Sequence, residues 1–413
     1  MSSRTSSKNS LRVAYFTTGW PPEVGGPSSG NVDRVRHLSQ HQDMDIHVIV
    51  PQHDAAHRDN IPQTTIHMYE AKPWPIYPFF RVPTLQGGKQ VEKMIADIKP
   101  DVVINTDVER GTFLSSWRRP GRSWASHNGS PYIGYYHTDF YGFAASYRGW
   151  NKVTDTFLLP ALRALYRSPD LVIAASDSAE LEVEKLHARR VERLAFDGVD
   201  TQIFTPEQRD RSWLRTLVPT LQPDDQVVLS FGRLAPEKKI DHTLEAFDVL
   251  MDAMPPERRK RTWLLVVGEG DCALEEKLKL HAARLRSKDQ IFFHGFLHGQ
   301  DRAKVLASVD AYTLPSIHET FSVTTTEAMA CGTPVVCARS GAMPTYLTDH
   351  HTGFLHDPLN PADQARAIRT ALDADRNSIG TLSRAVVTEK FSHTAISTEL
   401  RDLLHRELMR TTW

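Results

Sequence analysis

Apolar positions in the first half of the chain come in short blocks separated by turn residues. Residues 11–17 (LRVAYFT) form a compact apolar run ending at a turn, the pattern of a buried strand. The glycine- and proline-rich stretch GWPPEVGGPSSGN follows and reads as a loop. Val32, Val35 and Leu38 then recur at helical spacing, and residues 46–50 (IHVIV) form a second apolar run. Strand, loop, helix and strand in that order open a parallel sheet. Further strands are predicted at residues 101–106, 132–138 and 171–176.

The alternation then restarts. Runs at 226–232, 262–270, 290–295, 310–316 and 334–338 predict a second set of strands, with amphipathic character over 243–251. Between the two sets, FDGVDTQIFTPEQ (196–208) carries glycine, proline and polar residues and reads as the join. The last pattern, over 394–409, places Ile396, Leu400, Leu403, Leu404 and Leu408 on one side of a helix. The expected architecture is α/β, with two successive parallel-sheet domains. Ligands of open parallel sheets sit at the strand C-termini near helix N-termini, so a cleft between the domains is the expected site.

Composition narrows the classes. A length of 413 residues fits two cores of similar size better than one. Apolar residues at 40% and charged residues at 24% are ordinary for a globular protein. The formal net charge of −1 gives no basic excess, and no nucleic-acid partner is expected. No apolar run nears the ~20 residues that span a bilayer. The start, MSSRTSSKNS, is polar and lacks the apolar core of a secretory signal, so it reads as a disordered tail. Cys272, Cys331 and Cys337 show neither metal spacing nor a disulfide framework, which fits a reducing cytosol.

Candidate chemistry gathers in HETFSVTTTEAMACGTPVV, residues 318–336. Glu319 and Glu327 stand eight positions apart. On one continuous helix that spacing rises ~12 Å, whereas a glycosidase pair needs ~5–9 Å between carboxyl groups. LPSIHE leaves a strand and residues 321–330 read as a helix, so Glu319 precedes the helix and Glu327 lies about two turns inside it. The amides of Thr320, Phe321, Ser322 and Val323 then point outward at the positive end of the helix dipole, a fit for phosphate. Acceptor, anion hole and acceptor in a row suit an elongated ligand with hydroxyls at both ends and phosphates between, such as a sugar nucleotide. Taken bare, the spacing is weak, since 50 acidic residues make such pairs common by chance.

Three other segments carry suitable groups. FGRLAPEKKID offers Arg233 and Lys238, a guanidinium and an ammonium for a diphosphate, though it also reads as a solvated charge run. In PPEVGGPSSGN, Gly25 and Gly26 let backbone approach an anion where a helix opens. YYHTDFYGF ends a predicted strand with His137 and Asp139; a lone histidine is more often structural, but a strand C-terminus favours function.

The run LPSIHETFSVTTTEAMACGTPVV resembles the donor-binding signature of the family 4 retaining glycosyltransferases: E-x7-E, Pro-Ser before it, and E-A-M-A-x-G-x-P-V-V at its end. FGRLAPEKKID resembles the family's G-R-L-x-x-E-K-G motif, PPEVGG its P-P-x-x-G-G loop, and HTDF a variant seen in several lipid glycosyltransferases. VVGEG, HGFL and FDGV match further landmarks, so the resemblance runs from Leu11 to about Phe391. Departures are Ser322 and Lys239 where the family has glycine, Asp197 in the N-G-V-D motif, and Ser340 and Thr345 in the G-G-x-P-E run.

The resemblance implies the GT-B fold, two Rossmann-like domains facing an interdomain cleft. It implies a tail at 1–10, an acceptor domain at 11–197, a donor domain at 198–391 and a C-terminal helix at 392–413 crossing back to the first domain. The implied activity is transfer of a hexose, with retention, from a UDP- or GDP-sugar to a hydroxyl of a lipid, glycan or small molecule. His137, Arg233, Lys238 and Glu319 are the implied catalytic residues. Glu319 holds sugar hydroxyls, Glu327 the ribose, and Arg233 and Lys238 the diphosphate. Gly25, Gly26, Gly268, Phe296, Leu297, Thr320, Phe321, Ser322 and Val323 complete the donor contacts, and Asp139 orients the acceptor. No metal and no cofactor are expected, and no Asp-x-Asp metal motif is read in the sequence. A sugar-nucleotide epimerase or isomerase of the same fold and a catalytically silent sugar-nucleotide binder are the alternatives. A cytoplasmic location is expected, with peripheral contact at the inner membrane face considered for SWRRPGRSW (116–124), whose arginines and tryptophans suit anionic headgroups. That segment also reads as an exposed loop with packed tryptophans. PWPIYPFF (73–80) reads as an acceptor-lining or simply packed loop.

Overall fold

The structure, a computed structural model, describes residues 10–21, 26–52, 61–73, 81–113, 119–137 and 154–411. In chain order the strands are β1 (Leu11–Phe16), β2 (Met44–Pro51), β3 (Thr64–Tyr69), β4 (Ala71–Pro73), β5 (Arg81–Pro83), β6 (Val102–Asn105), β7 (Tyr132–Tyr136), β8 (Leu171–Ala174), β9 (Val191–Arg193), β10 (Gln226–Phe231), β11 (Thr262–Val267), β12 (Ile291–His294), β13 (Ala311–Leu314), β14 (Val335–Ala338) and β15 (Phe354–His356). The chain divides into two units, Met1–Gly198 with His393–Trp413, and Val199–Ser392.

The first unit holds a seven-stranded sheet in the order β3-β2-β1-β6-β7-β8-β9, parallel throughout. The second holds a six-stranded sheet in the order β12-β11-β10-β13-β14-β15, also parallel throughout. β4 and β5 pair antiparallel, apart from both. The inner strands β6, β7, β8, β13 and β14 are buried along their whole length. That is why they read as unbroken apolar runs: helices cover both faces of a parallel sheet.

Each sheet reverses direction once. The first chain half moves outward from β1 to β2 and β3, then returns to the other side of β1 at β6. The second half moves from β10 to β11 and β12, then returns at β13. Such a reversal leaves a crevice at the C-terminal ends of the two central strands. In the second unit Arg233 and Lys238 follow β10 and Glu319 follows β13, whereas in the first unit His137 follows β7, next to β6.

The helix His393–Thr411 buries Ile396, Leu400, Leu403 and Leu404 and packs against the helix Gly26–Leu38 of the first unit. Ion pairs fasten it. Asp43 accepts from Arg401 Nε at 2.8 Å and lies 2.9 Å from His405 Nε2. Arg190 forks onto Glu407 at 2.8 and 2.9 Å.

Among the described residues no helix is long and apolar enough to cross a membrane. Of the segment 116–124, residues 119–124 are described. Arg122 Nη1 donates to both carboxylate oxygens of Asp170 at 2.9 Å, and Trp124 packs against the core that includes Phe16 and Tyr132. Trp124 is packed, as one reading expects, but both residues lie on the helix Arg122–Asn128 and not in a loop. Residues 116–118 and 74–80 lie outside the described residues.

Candidate functional site

In the second unit the site is built from the loops after β10 and β13. Ser316 Oγ and Ile317 N both donate to Glu237 O, at 3.2 and 3.3 Å, which ties one loop to the other. That tie places the Lys238 ammonium in an ion pair with Glu319, the two side chains 20% and 9% exposed. Arg233 reaches back to the buried Glu237, Nη2 to Oε1 at 2.5 Å, while its own side chain stays half-exposed. The backbone of Glu319 is held in turn by the segment after β14. Ala342 N donates to Glu319 O at 2.9 Å, and Gly341, at φ +57°, lies so close that a Cβ would stand 2.7 Å from that oxygen.

The helix carrying Glu327 spans Val323–Ala330 and so starts two residues later than the expected 321. Ser322 precedes it in the left-handed region, with φ 72° and ψ 77°. The amides without intrahelical acceptors are therefore those of Val323, Thr324 and Thr325, because Thr326 N already bonds Ser322 O at 3.3 Å. Phe321, expected near the donor, is buried between the rings of Tyr346 and Phe391, with centroids 5.8 and 5.6 Å away.

Lys239 also occupies the left-handed region, at φ 52° and ψ 42°, just before the helix Ile240–Ala253. Both departures from a family glycine thus fall where a left-handed backbone explains the glycine. Lys238, and not Lys239, meets Glu319.

Gly268 lets the ends of β10 and β11 close on each other: a Cβ there would lie 1.9 Å from Gly232 O. Phe296 packs edge-on against Phe231 at 5.2 Å, and its amide donates to Glu269 Oε1 at 3.2 Å. Leu297 is buried. Glu327 is buried and forms an ion pair with Arg302 from the helix Gly299–Ser308. Nothing in the spacing of the sequence singled out Arg302.

The first unit holds a buried polar network at the ends of β1, β6 and β7. Asp107 accepts from Thr18 N at 2.6 Å and Thr17 Oγ1 at 2.9 Å, and pairs with Arg110. Burial works against its charge, but Arg110 and these donors hold its carboxyl well below the usual range. Arg34 is buried as well. It donates to Tyr15 Oη at 2.5 Å, Asn31 Oδ1 at 2.9 Å and Phe196 O at 2.6 Å, and pairs with Asp197 at 3.1 Å. His137 follows β7, its ring 4.6 Å from Phe196 and 5.4 Å from Tyr135. Burial, then the charge of Arg34, push its pKa down to about 3, so its imidazole is neutral at pH 7. On the helix Val108–Phe113, Glu109, in contact with the Tyr166 hydroxyl, is pushed up to about 7 by burial. Asp107, Arg34 and Arg110 went unread in the sequence. Gly26 is the first residue of the helix Gly26–Leu38. Gly25 and Asp139 lie outside the described residues.

The Asp-x-Asp spacing, read as absent from the sequence, in fact occurs twice, at Asp43/Asp45 and Asp373/Asp375. Neither instance is a site loop. Asp43 serves Arg401, Asp45 takes Arg12 Nε at 2.8 Å, Asp373 takes Arg258 at 2.5 Å, and Asp375 caps the helix Arg376–Val386. Among the described residues no three His, Cys, Asp or Glu side chains are grouped to hold a metal.

Known families match both halves of this chain. The family model described as Glycosyltransferase Family 4 matches residues 24–203, and that of glycosyl transferases group 1 matches residues 218–386. A GDP-mannose-dependent alpha-mannosyltransferase of Mycolicibacterium smegmatis is 30% identical over 388 residues, covering 91% of this chain and 92% of that enzyme. The sulfoquinovosyl transferase SQD2 of Arabidopsis thaliana is 30% identical over 248 residues, covering 58% of this chain but 45% of that enzyme. The solved structure of Anabaena HepE in complex with UDP-glucose superposes with a TM-score of 0.71 at 19% identity, covering 96% of this chain and all of that one, a likeness of fold. With both halves matched in order and a relative aligned over 91% of this chain and 92% of its own length, this chain belongs to glycosyltransferase family 4 and is a sugar-nucleotide-dependent glycosyltransferase of the GT-B type.

Proposed function

We propose that the enzyme transfers a hexose from a UDP- or GDP-sugar to an acceptor hydroxyl, with retention at the anomeric carbon and without a metal. The observation that carries this reading is the Lys238–Glu319 pair beside the left-handed Ser322 turn. It sets a cation, a carboxylate and the first-turn amides of a helix side by side at the reversal of the second sheet. Sugar hydroxyls donate to Glu319, which shares its carboxylate with Lys238. The Lys238 ammonium, the Arg233 guanidinium and the amides of Val323–Thr325 receive the diphosphate. As the anomeric C–O bond breaks, negative charge gathers on the diphosphate, and these groups stabilise it. The acceptor attacks on the face from which the diphosphate leaves, and a departing phosphate oxygen takes its proton. Glu327 receives ribose hydroxyls, while Gly268, Phe296 and Leu297 border the base. The first unit serves the acceptor. Its His137, neutral at pH 7, acts beside the sugar as a hydrogen-bonding group rather than as a cation. Gly25 and Gly26 complete the donor contacts, and Asp139 orients the acceptor.

The mycolicibacterial relative is named for GDP-mannose and HepE was solved with UDP-glucose, so both bases belong in the test. Nucleotide release and thermal shift are measured with UDP-glucose, UDP-galactose, UDP-N-acetylglucosamine and GDP-mannose. Transfer releases the nucleoside diphosphate; an isomerase returns an epimerised donor; a silent binder shifts the melting temperature and releases nothing. Turnover is expected to persist in EDTA, and its full loss there contradicts the metal-free mechanism.

A further inference from the structure

We infer that Arg302 is a positioning residue for the nucleoside end of the donor, orienting Glu327 so that preference for a ribonucleotide depends on its guanidinium. The inference rests on the reading of Glu327 as the ribose acceptor. Arg302 sits on the helix Gly299–Ser308, and its guanidinium reaches the neighbouring helix Val323–Ala330. There it forms an ion pair with Glu327 and lies 3.4 Å from Thr324 Oγ1. Its Cζ stands 5.7 Å from the centre of the Phe231 ring and 5.9 Å from that of Phe204. Two rings and two polar partners, drawn from three segments, hold one planar group. The same Phe231 ring carries Phe296 on the base side.

The physical case follows from burial. The Glu327 side chain is 6% exposed and that of Arg302 25%. A carboxylate this deep keeps its charge only beside a counter-charge. It also has about four lone-pair positions, enough for one guanidinium and two vicinal hydroxyls together. Arg302 therefore does not compete with a ribose; it keeps Glu327 ionised and aimed. Thr324 gives the threonine run a role: its hydroxyl accepts from the same Nη2 that pairs with Glu327. A lysine can supply donors to both but lacks the planar group that stands over the rings of Phe231 and Phe204.

The test is calorimetric binding of UDP, GDP, their 2′-deoxy forms and inorganic diphosphate to the full chain and to Arg302→Met and Arg302→Lys. The wild type should bind the ribonucleotide more tightly than its 2′-deoxy form. Arg302→Met should weaken the ribonucleotide about tenfold, the worth of one charge-assisted hydrogen bond, bring the ribo/deoxy ratio close to one, and leave diphosphate binding unchanged. Arg302→Lys should fall between, and circular dichroism of both variants verifies folding. If the wild type discriminates and a folded Arg302 variant keeps the same ratio, the inference is overturned while the proposed function stands. If the wild type binds no nucleoside diphosphate, the proposed function fails, and this inference with it.

Discussion

Ser322 and Lys239 each hold a left-handed backbone, at φ 72° and 52°, where a Cβ crowds the following carbonyl. Replacing either with glycine relieves about 1–2 kcal/mol of that crowding, less part of it in chain entropy. Ser322→Gly and Lys239→Gly should therefore raise the unfolding midpoint of the second unit modestly in denaturant. Lys239→Gly should also keep turnover, since the ammonium that meets Glu319 is that of Lys238; a loss equal to that of Lys238→Ala would reverse the assignment. His137 makes a second residue-scale prediction. Its folded pKa of about 3 lies below its ordinary 6.5, so the unfolded chain binds a proton that the folded one refuses. The stability linked to His137 is complete above pH 6.5 and is lost as pH falls towards 3, with a slope of at most ~1.4 kcal/mol per pH unit. Arg34 and Arg110 oppose its protonation and Asp107 favours it. His137→Asn should flatten the slope between pH 6.5 and 4.5. Glu109 has the opposite sign. Its folded pKa is raised to about 7 from 4.5, so its contribution is complete below 4.5 and lost as pH rises through 7. Glu109→Gln should show its largest gain above pH 7, read from chemical denaturation at several pH values.

At the scale of elements, two glycines decide whether the site loops can form. Gly268→Ala would push a methyl to 1.9 Å from Gly232 O, and Gly341→Ala to 2.7 Å from Glu319 O. Each should cost about 2 kcal/mol or more and lower turnover, because the loops after β10 and β13 can no longer close. Retained activity and stability in Gly341→Ala would mean that the Glu319 loop is not held from behind. The same elements show what a sequence carries. β1, β6, β7, β10, β11 and β13 were legible because strands buried on both faces are unbroken apolar runs. β3 is half-exposed, and β9 and β15 are three residues long, too little for a pattern. The motif around Glu319 gave the helix but not its start, because a serine in the left-handed region has no signature. The pairs Lys238–Glu319, Arg302–Glu327 and Arg34–Asp197 join segments distant along the chain. The motif resemblance named Lys238 and Glu319 in separate roles; that they pair, like the other two pairs, appears only when the sheets are assembled.

At the scale of the whole molecule, the first unit is completed by the end of the chain. Removing residues 393–413 would strip Leu400, Leu403 and Leu404 from their packing and leave Asp43 and Arg190 without their ion pairs. The truncated chain should lose cooperative unfolding of the first unit while the second, Val199–Ser392, keeps its own transition in scanning calorimetry. The proposed function places transfer of a hexose from a nucleoside-diphosphate sugar at the Lys238–Glu319 pair. Its most direct measurement is the rate of nucleoside diphosphate release from the four-donor panel, with pooled lipid and oligosaccharide acceptors. It compares the wild type with Lys238→Ala and Glu319→Ala. Release from one donor, falling by about 10²–10³ in each folded variant, is the predicted result. Release from none of the donors, or undiminished release in both variants, would contradict it.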